Sequence, residues 1–329
     1  MVFPGDDSMP VLETDIPEQK VFNNQPFPLV LSPGSKEWEF TKWIHWFQNN
    51  TSFIQKLLSQ YGAILFRGFP VHSPEDFDSM VGAFGFKDFP YIGGAAPRKQ
   101  VTGRVFTSNE APPSELIPFH HEMAQSPKYP KKLFFYCDVE PPRGGETPIL
   151  LSHLVYQEMK QRCPDFVAAL EQKGIKYTRI MPEEDDPSTP IGRGWRSTYA
   201  VNSREELEKR CHELGSELEW LEDGCLKVTT ILPAVKHNSE IGKPTWFNSM
   251  IAAYQGWKDK RNDPTKAVTF GDGTPLPPED LQTCSQIMNE ICVAFGWKKG
   301  DVLMIHNELV MHARNSFVPP RRILACLVA

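Results

Sequence analysis

Two imidazoles and a carboxylate crowd together in Ile117-Pro-Phe-His120-His121-Glu122-Met123, the first stretch of the chain able to do metal chemistry. Pro118 and its aromatic neighbour favour extended backbone, in which alternate residues share a face with Cα atoms about 6 to 7 Å apart. His120 and Glu122 can therefore meet on one ion while His121 points the other way; on a helix the same pair would diverge. A metal site needs a third ligand from a distant segment. The downstream candidates are His153, His212, His237, His306 and His312. His212 sits in a Glu-rich helical stretch and reads as solvated, and His153 lies beside a helix start, where capping is its natural role.

The segment from Gly300 to Val328 reads as a strand, a turn, a histidine (His312), a loop and a second strand that is apolar on both faces. Arg321 and Arg322 open that last strand. An arginine entering a buried strand requires an anion to offset its desolvation, and guanidinium can grip a carboxylate through two parallel hydrogen bonds. That anion is either a carboxylate ligand or a structural Asp or Glu. The two arginines face opposite sides, and periodicity does not choose between them.

The elements that must position these groups are legible in outline. Trp38 to Phe47 and Phe53 to Leu58 carry apolar residues at helical spacing, and Ala63 to Phe69 follows as a short buried strand. Ser73-Pro-Glu-Asp starts another helix with a Ser cap and acids against the dipole. Helices are expected over 152–162 and from Pro164 to Gly174, and Ser203-Arg-Glu-Glu206 is a capping box opening a helix that Gly215 closes. Lys227 to Leu232 and Pro244 to Asn248 read as strands around a turn at 239–242. Pro278 to Phe295 reads as one amphipathic helix stopped by Gly296, and 302–305 and 322–328 close the chain as strands.

Composition excludes several function classes. The chain has 329 residues, 40% apolar and 23% charged, which suits a packed globular protein and not a disordered one. A net charge of −6 with no basic stripe argues against nucleic acid as a partner. No apolar run approaches the roughly 20 residues of a membrane span, and no signal peptide is visible, so an intracellular, cytoplasmic location is expected. Seven scattered cysteines without a Cys-x-x-Cys pair read as reduced core residues, not a disulfide framework or thiolate zinc site.

Taken in order, the motifs resemble the iron(II)/2-oxoglutarate-dependent dioxygenases of the taurine dioxygenase (TauD/TfdA) and clavaminate synthase-like group. The likeness rests on His120-x-Glu122, His312 in Asn-x-x-x-Met-His, and Arg322 ten residues later. Gly62-Ala-Ile-Leu-Phe-Arg-Gly-Phe69 resembles the family's early strand, and Gly144-Gly-Glu-Thr147 its Gly-Gly-(Asp/Glu)-Thr turn. Pro233 to Gly242, continuing to Trp246-Phe-Asn248, resembles its Pro-Val-x-x-x-His-Pro-x-Thr-Gly hairpin. The likeness runs from about residue 62 to the end. It implies a mainly β fold with helices, a double-stranded β-helix (jelly roll) core with flanking and inserted helices. It also implies one oxygenase domain over 1–329, with a helical insert at about 152–215. The aperiodic stretch at about 181–200 reads as a lid or a plain surface loop.

The resemblance further implies that His120, Glu122 and His312 bind Fe(II), that Arg322 and Thr147 hold the distal carboxylate of the co-substrate 2-oxoglutarate, and that O2 oxidises an unidentified small molecule. Three departures stand out: Glu122 where many members have Asp, as in the clavaminate synthase-like branch; a His-to-Arg spacing one residue short of some relatives; and Asn238 where Pro is usual. Two rival readings use the same ligands. A zinc hydrolase would have no use for Arg322 and lacks a His-Glu-x-x-His helix. The other is a metal- or small-molecule-binding barrel without turnover.

Overall fold

The computed structural model describes residues 11–329 apart from 35–37, 95, 97, 109, 110 and 190. Residues 1–10, read above for a targeting signal, and Pro190 of the expected lid lie outside the described residues. The fold is mainly β with helices. Its largest sheet has eight strands in the order Val11–Glu13, Leu29–Pro33, Ala63–Phe66, Val302–His306, Lys132–Val139, Arg322–Val328, Val105–Thr107 and Gln100–Thr102. Every neighbouring pair is antiparallel except Leu29–Pro33 with Ala63–Phe66.

Alternation along these strands sorts their side chains onto two faces. Ile64, Phe66, Phe134, Tyr136, Met304 and Leu324 pack under the helices Phe40–Asn49, Thr51–Tyr61 and Pro74–Ala83, against Trp43, Phe47, Ile54, Leu58 and Phe77. Leu65, Leu133, Phe135, Leu303, Ile305 and Ile323 take the other face. There they share a core with Ile149 and Val310, which belong to a three-stranded antiparallel sheet ordered Ile149–Leu151, Val310–Arg314, Ile117–His120. Each such fully buried side chain contributes roughly 1.5–3 kcal/mol, so the two-sided burial fixes the register of the central strands. Gly62, at φ +78°, lets the chain turn into Ala63–Phe66 where a Cβ would meet Val310 at 2.8 Å.

A third sheet, Glu217–Trp220, Leu226–Leu232, Ile175–Met181, Val268–Phe270, stands beside these two. The interval 152–215 is thus not wholly helical. Ser152–Arg162, Pro164–Lys173 and Arg204–Glu213 are helices, but Ile175–Met181 is an inner strand paired on both sides. Its burial alternates, with Ile175, Tyr177, Arg179 and Met181 inward and Lys176, Thr178 and Ile180 less covered, a strand period blurred by the inward Arg179 and the outward Ile180. The local caps form as expected: Ser73 Oγ accepts from Asp76 N–H at 3.1 Å and Ser203 Oγ from Glu206 N–H at 3.2 Å.

Other boundaries differ from the sequence reading. The last helix ends at Ile291, before Phe295 and Gly296, because Val293 exchanges two backbone hydrogen bonds with Ile149. The strand expected over 244–248 covers only Lys243–Thr245. All seven cysteines are free, and no helix among the described residues is long and apolar enough to cross a membrane.

Candidate metal centre and adjoining cavity

The strand Ile117–His120 ends at His120, so Glu122 is not on extended backbone as its spacing suggested; it lies in a turn followed by Met123 at φ +58°. The side chain of Asn307 fixes that turn. Its Oδ1 accepts from Glu122 N–H at 2.9 Å, and its Nδ2 donates to Glu122 O at 3.0 Å and Pro130 O at 2.8 Å. His121 does face away from the cluster. It is buried, donates from Nδ1 to the Asn307 carbonyl and accepts from Ser152 Oγ–H at 2.8 Å, while burial pushes its imidazole down to about 3.

Of the downstream histidines, His312 is the one brought to His120 and Glu122. The strand pairing sets His312 directly opposite His120, with ring centroids 4.3 Å apart. Glu122 Oε2 lies 3.6 Å from His312 Nε2 and 4.0 Å from His120 Nε2, and one ligand atom from each residue fits within 4.8 Å of the others. No other such metal-competent group of three or more occurs among the described residues. His306 pairs instead with Glu240 at 3.3 Å, and His237 is exposed.

The protonation pattern suits a cation. His120 Nδ1–H donates to Pro118 O at 2.9 Å, so the neutral ring turns the Nε2 lone pair toward Glu122. Burial, then the neighbouring His312, pushes His120 down to about 4. Burial alone would raise the Glu122 carboxyl, but Arg98, His312 and His120 outweigh it and hold it well below the usual carboxylate range. A lone pair and an anionic oxygen thus face one point from within the protein. A divalent metal satisfies both, and the two-imidazole, one-carboxylate donor set suits ferrous iron.

These three residues line a cavity of about 190 Å³ that also receives Thr147, Arg314 and Arg321. Here the expectation for Arg322 is corrected. Arg322 points away from the cavity, with 46% of its side chain exposed, and pairs with Asp138 at 2.7 Å. Arg321 shares the inner face with Ile323, two positions on, and both line the cavity. Its Nε–H donates to Gly145 O at 2.8 Å, and its Nη2 lies 3.5 Å from Thr147 Oγ1, which also accepts from Trp297 Nε1–H at 3.2 Å. Gly145, at φ +73°, permits this approach, since a Cβ there would stand 2.8 Å from Arg321 Cδ. Burial, reinforced by Arg314, pushes the Arg321 guanidinium down to about 10, and it makes no salt bridge among the described residues.

Thr147 thus lines the same cavity as Arg321 and lies beside it, whereas Arg322 does not reach it. Trp246 and Phe247 belong to the core: Trp246 is fully buried and Phe247 packs on His121 and Tyr129. Asn238, at the position where Pro was expected, donates to Glu308 at 2.9 Å and accepts from the amides of Glu240 and Ile241, closing its own hairpin. Sequence reasoning missed Arg98 and Asn307. Arg98 lies in an aperiodic Pro- and Gly-rich stretch that gives no signal. Asn307 stood inside the quoted Asn-x-x-x-Met-His run, with nothing to show that it reaches back to Glu122.

Residues 27–327 match the Taurine catabolism dioxygenase TauD, TfdA family. The chain is 52% identical over 326 residues to the Clavaminate synthase-like protein At3g21360 of Arabidopsis thaliana, covering 96% of this chain and 98% of that protein. It is 28% identical over 287 residues to the Dapdiamide synthesis protein DdaC of Enterobacter agglomerans, covering 84% of each. Among solved structures, an asparagine oxygenase in complex with Fe(II), 2S,3S-3-hydroxyasparagine and succinate superposes with a TM-score of 0.53 at 13% identity, covering 88% of this chain and 81% of that one.

Proposed function

The chain belongs to the Taurine catabolism dioxygenase TauD, TfdA family, and from that premise we propose that it is an iron(II)- and 2-oxoglutarate-dependent dioxygenase that hydroxylates a small molecule. One juxtaposition carries the reading. A His120–Glu122–His312 cluster with room for one ion shares its cavity with Arg321, a largely buried guanidinium without a salt-bridge partner among the described residues. The first needs a metal and the second needs an anion.

His120, Glu122 and His312 would hold iron from one side and leave the remaining positions open. An iron ion held there would supply the oxidation chemistry in which O2 gives one oxygen atom to 2-oxoglutarate, yielding succinate and CO2, and the other to a substrate C–H bond. The chain's own groups do the positioning. Arg321 would grip the distal carboxylate of 2-oxoglutarate, and Thr147, fixed by Trp297, would offer its hydroxyl to the same group. The Pro118 carbonyl keeps His120 in the tautomer whose Nε2 is free. Phe135, Ile323 and Trp257 supply apolar wall and limit water near the reacting atoms.

We read the eight-stranded and three-stranded sheets, facing each other across this cavity, as the walls of a double-stranded β-helix within one oxygenase domain. Residues 152–215 are then an insertion. Its segment 181–200 serves as a cover whose Ile191 reaches the cavity and whose Arg193 donates to the Tyr91 and Gly94 carbonyls on the opposing loop.

Anaerobic protein given Fe(II) and 2-oxoglutarate is expected to develop the weak visible charge-transfer band of that chelate, and His120→Ala or His312→Ala to lose it. Iron binding by either variant as tight as wild type sinks the triad. Hydrolysis supported by zinc without 2-oxoglutarate would move the reading to a hydrolase.

A further inference from the structure

Glu122 shares its carboxylate unequally. Oε2 faces both imidazoles, while Oε1 accepts a hydrogen bond from Arg98 Nη2 at 3.0 Å. Both partners are nearly inaccessible, with side-chain exposures of 8% and 6%. Arg98 is itself held in place: its guanidinium lies 4.5 Å from the Tyr91 ring centroid, and the Arg193 guanidinium lies 5.1 Å from the same centroid. A glutamate has one more rotatable bond than an aspartate, and Asn307 fixes only the Glu122 backbone. Left to itself, a glutamate can bind a metal through one oxygen or two. A second oxygen would take a position that the co-substrate requires.

We propose that Arg98 is a positioning residue that holds Glu122 to the metal by one oxygen and so keeps the co-substrate's position open, offsetting the freedom introduced by the extra methylene. The inference rests on the triad reading above. A guanidinium beside a metal ligand repels the cation, so greater metal affinity is not what Arg98 supplies. Denticity is. Removing its charge therefore leaves metal affinity unchanged or higher and weakens the ligand that competes with Oε1, a pattern that general loosening of the site would not produce.

The test uses Co(II) in place of iron, whose d–d absorption reports coordination, on wild type, Arg98→Gln and Arg98→Lys, with 2-oxoglutarate titrated into each Co(II)-loaded protein. Arg98→Gln is expected to bind Co(II) at least as tightly as wild type, to show an altered d–d spectrum, and to bind 2-oxoglutarate about 10-fold more weakly, the scale of the one charged hydrogen bond whose loss frees Oε1 to compete. Arg98→Lys, which can still occupy one oxygen, is expected to restore the wild-type spectrum. A wild-type spectrum and wild-type 2-oxoglutarate affinity in Arg98→Gln overturn the proposal. So does parallel loss of Co(II) and 2-oxoglutarate binding in both variants. Failure of wild type itself to bind Co(II) overturns the triad reading instead.

Discussion

Replacing Arg321 by Ala, beside Arg322 by Ala as its neighbour control, separates two residues that the sequence alone leaves equivalent. Burial and Arg314 push the Arg321 guanidinium from 12.5 down to about 10. That difference corresponds to at most about 3 kcal/mol of penalty on the charged form, which an arriving carboxylate would relieve. Losing one partner of a buried ion pair costs about 3–5 kcal/mol, on the order of a 10²- to 10⁴-fold rise in Kd for 2-oxoglutarate. Arg322, the exposed member of its pair with Asp138, falls in the range of about 0–1 kcal/mol and does not touch the cavity. An anaerobic titration of 2-oxoglutarate into the Fe(II)-loaded variants, followed by the visible band or by equilibrium dialysis, measures both. Arg321→Met adds a check of opposite sign: without co-substrate the guanidinium is a burden on the fold, so this variant is expected to melt no lower than wild type. Weak binding by Arg322→Ala together with wild-type binding by Arg321→Ala would refute the assignment.

Two further outcomes concern Asn307 and the neighbouring Glu308. Asn307→Ala leaves the buried amide and carbonyl of Glu122 unpartnered, an expected loss of about 2–5 kcal/mol in chemical denaturation; denaturation at the wild-type midpoint would remove Asn307 from its role. At Glu308, burial alone would raise the carboxyl, but Lys131 and Lys236 outweigh it and hold it at about 2, against an ordinary 4.5. A depressed carboxylate adds stability above its unfolded value and loses it as pH falls toward its folded one. Wild type is therefore expected to exceed Glu308→Gln by at most roughly 3 kcal/mol near pH 7, with the gap narrowing below about pH 4.5. A gap that stays constant between about pH 7 and pH 4 contradicts the assignment.

What could be read from the sequence was whatever short-range chemistry decides. Ser73 and Ser203 cap helices because their partners lie three residues away, and Ala63–Phe66 and Val302–His306 show as strands because burial on both faces leaves a continuous apolar run. His120 and Glu122 were found by spacing, although the backbone between them turns where extension was expected. What could not be read depends on distant partners. Val293 leaves the last helix because Ile149 claims its backbone groups, and Ile175–Met181 becomes a strand because Leu226–Leu232 and Val268–Phe270 pair with it. The choice between Arg321 and Arg322 is one of parity. It depends on an irregularity in which Arg322 opposes Val139 while Ile323 opposes Cys137, stepping past Asp138, the residue that captures Arg322. No local pattern announces that step.

The clasp between Asn307 and Glu122 joins positions 185 residues apart. While a ribosome is still decoding the middle of the message, His120 and Glu122 have already been made, but the side chain that sets their turn and the strand that delivers His312 have not. Two donors on an unformed turn give ferrous ion no lasting foothold, so the ion cannot template the early stages of folding. On the proposed ligand set, three-point binding of the ion therefore requires the strand that carries His312 to have paired with the one that ends at His120.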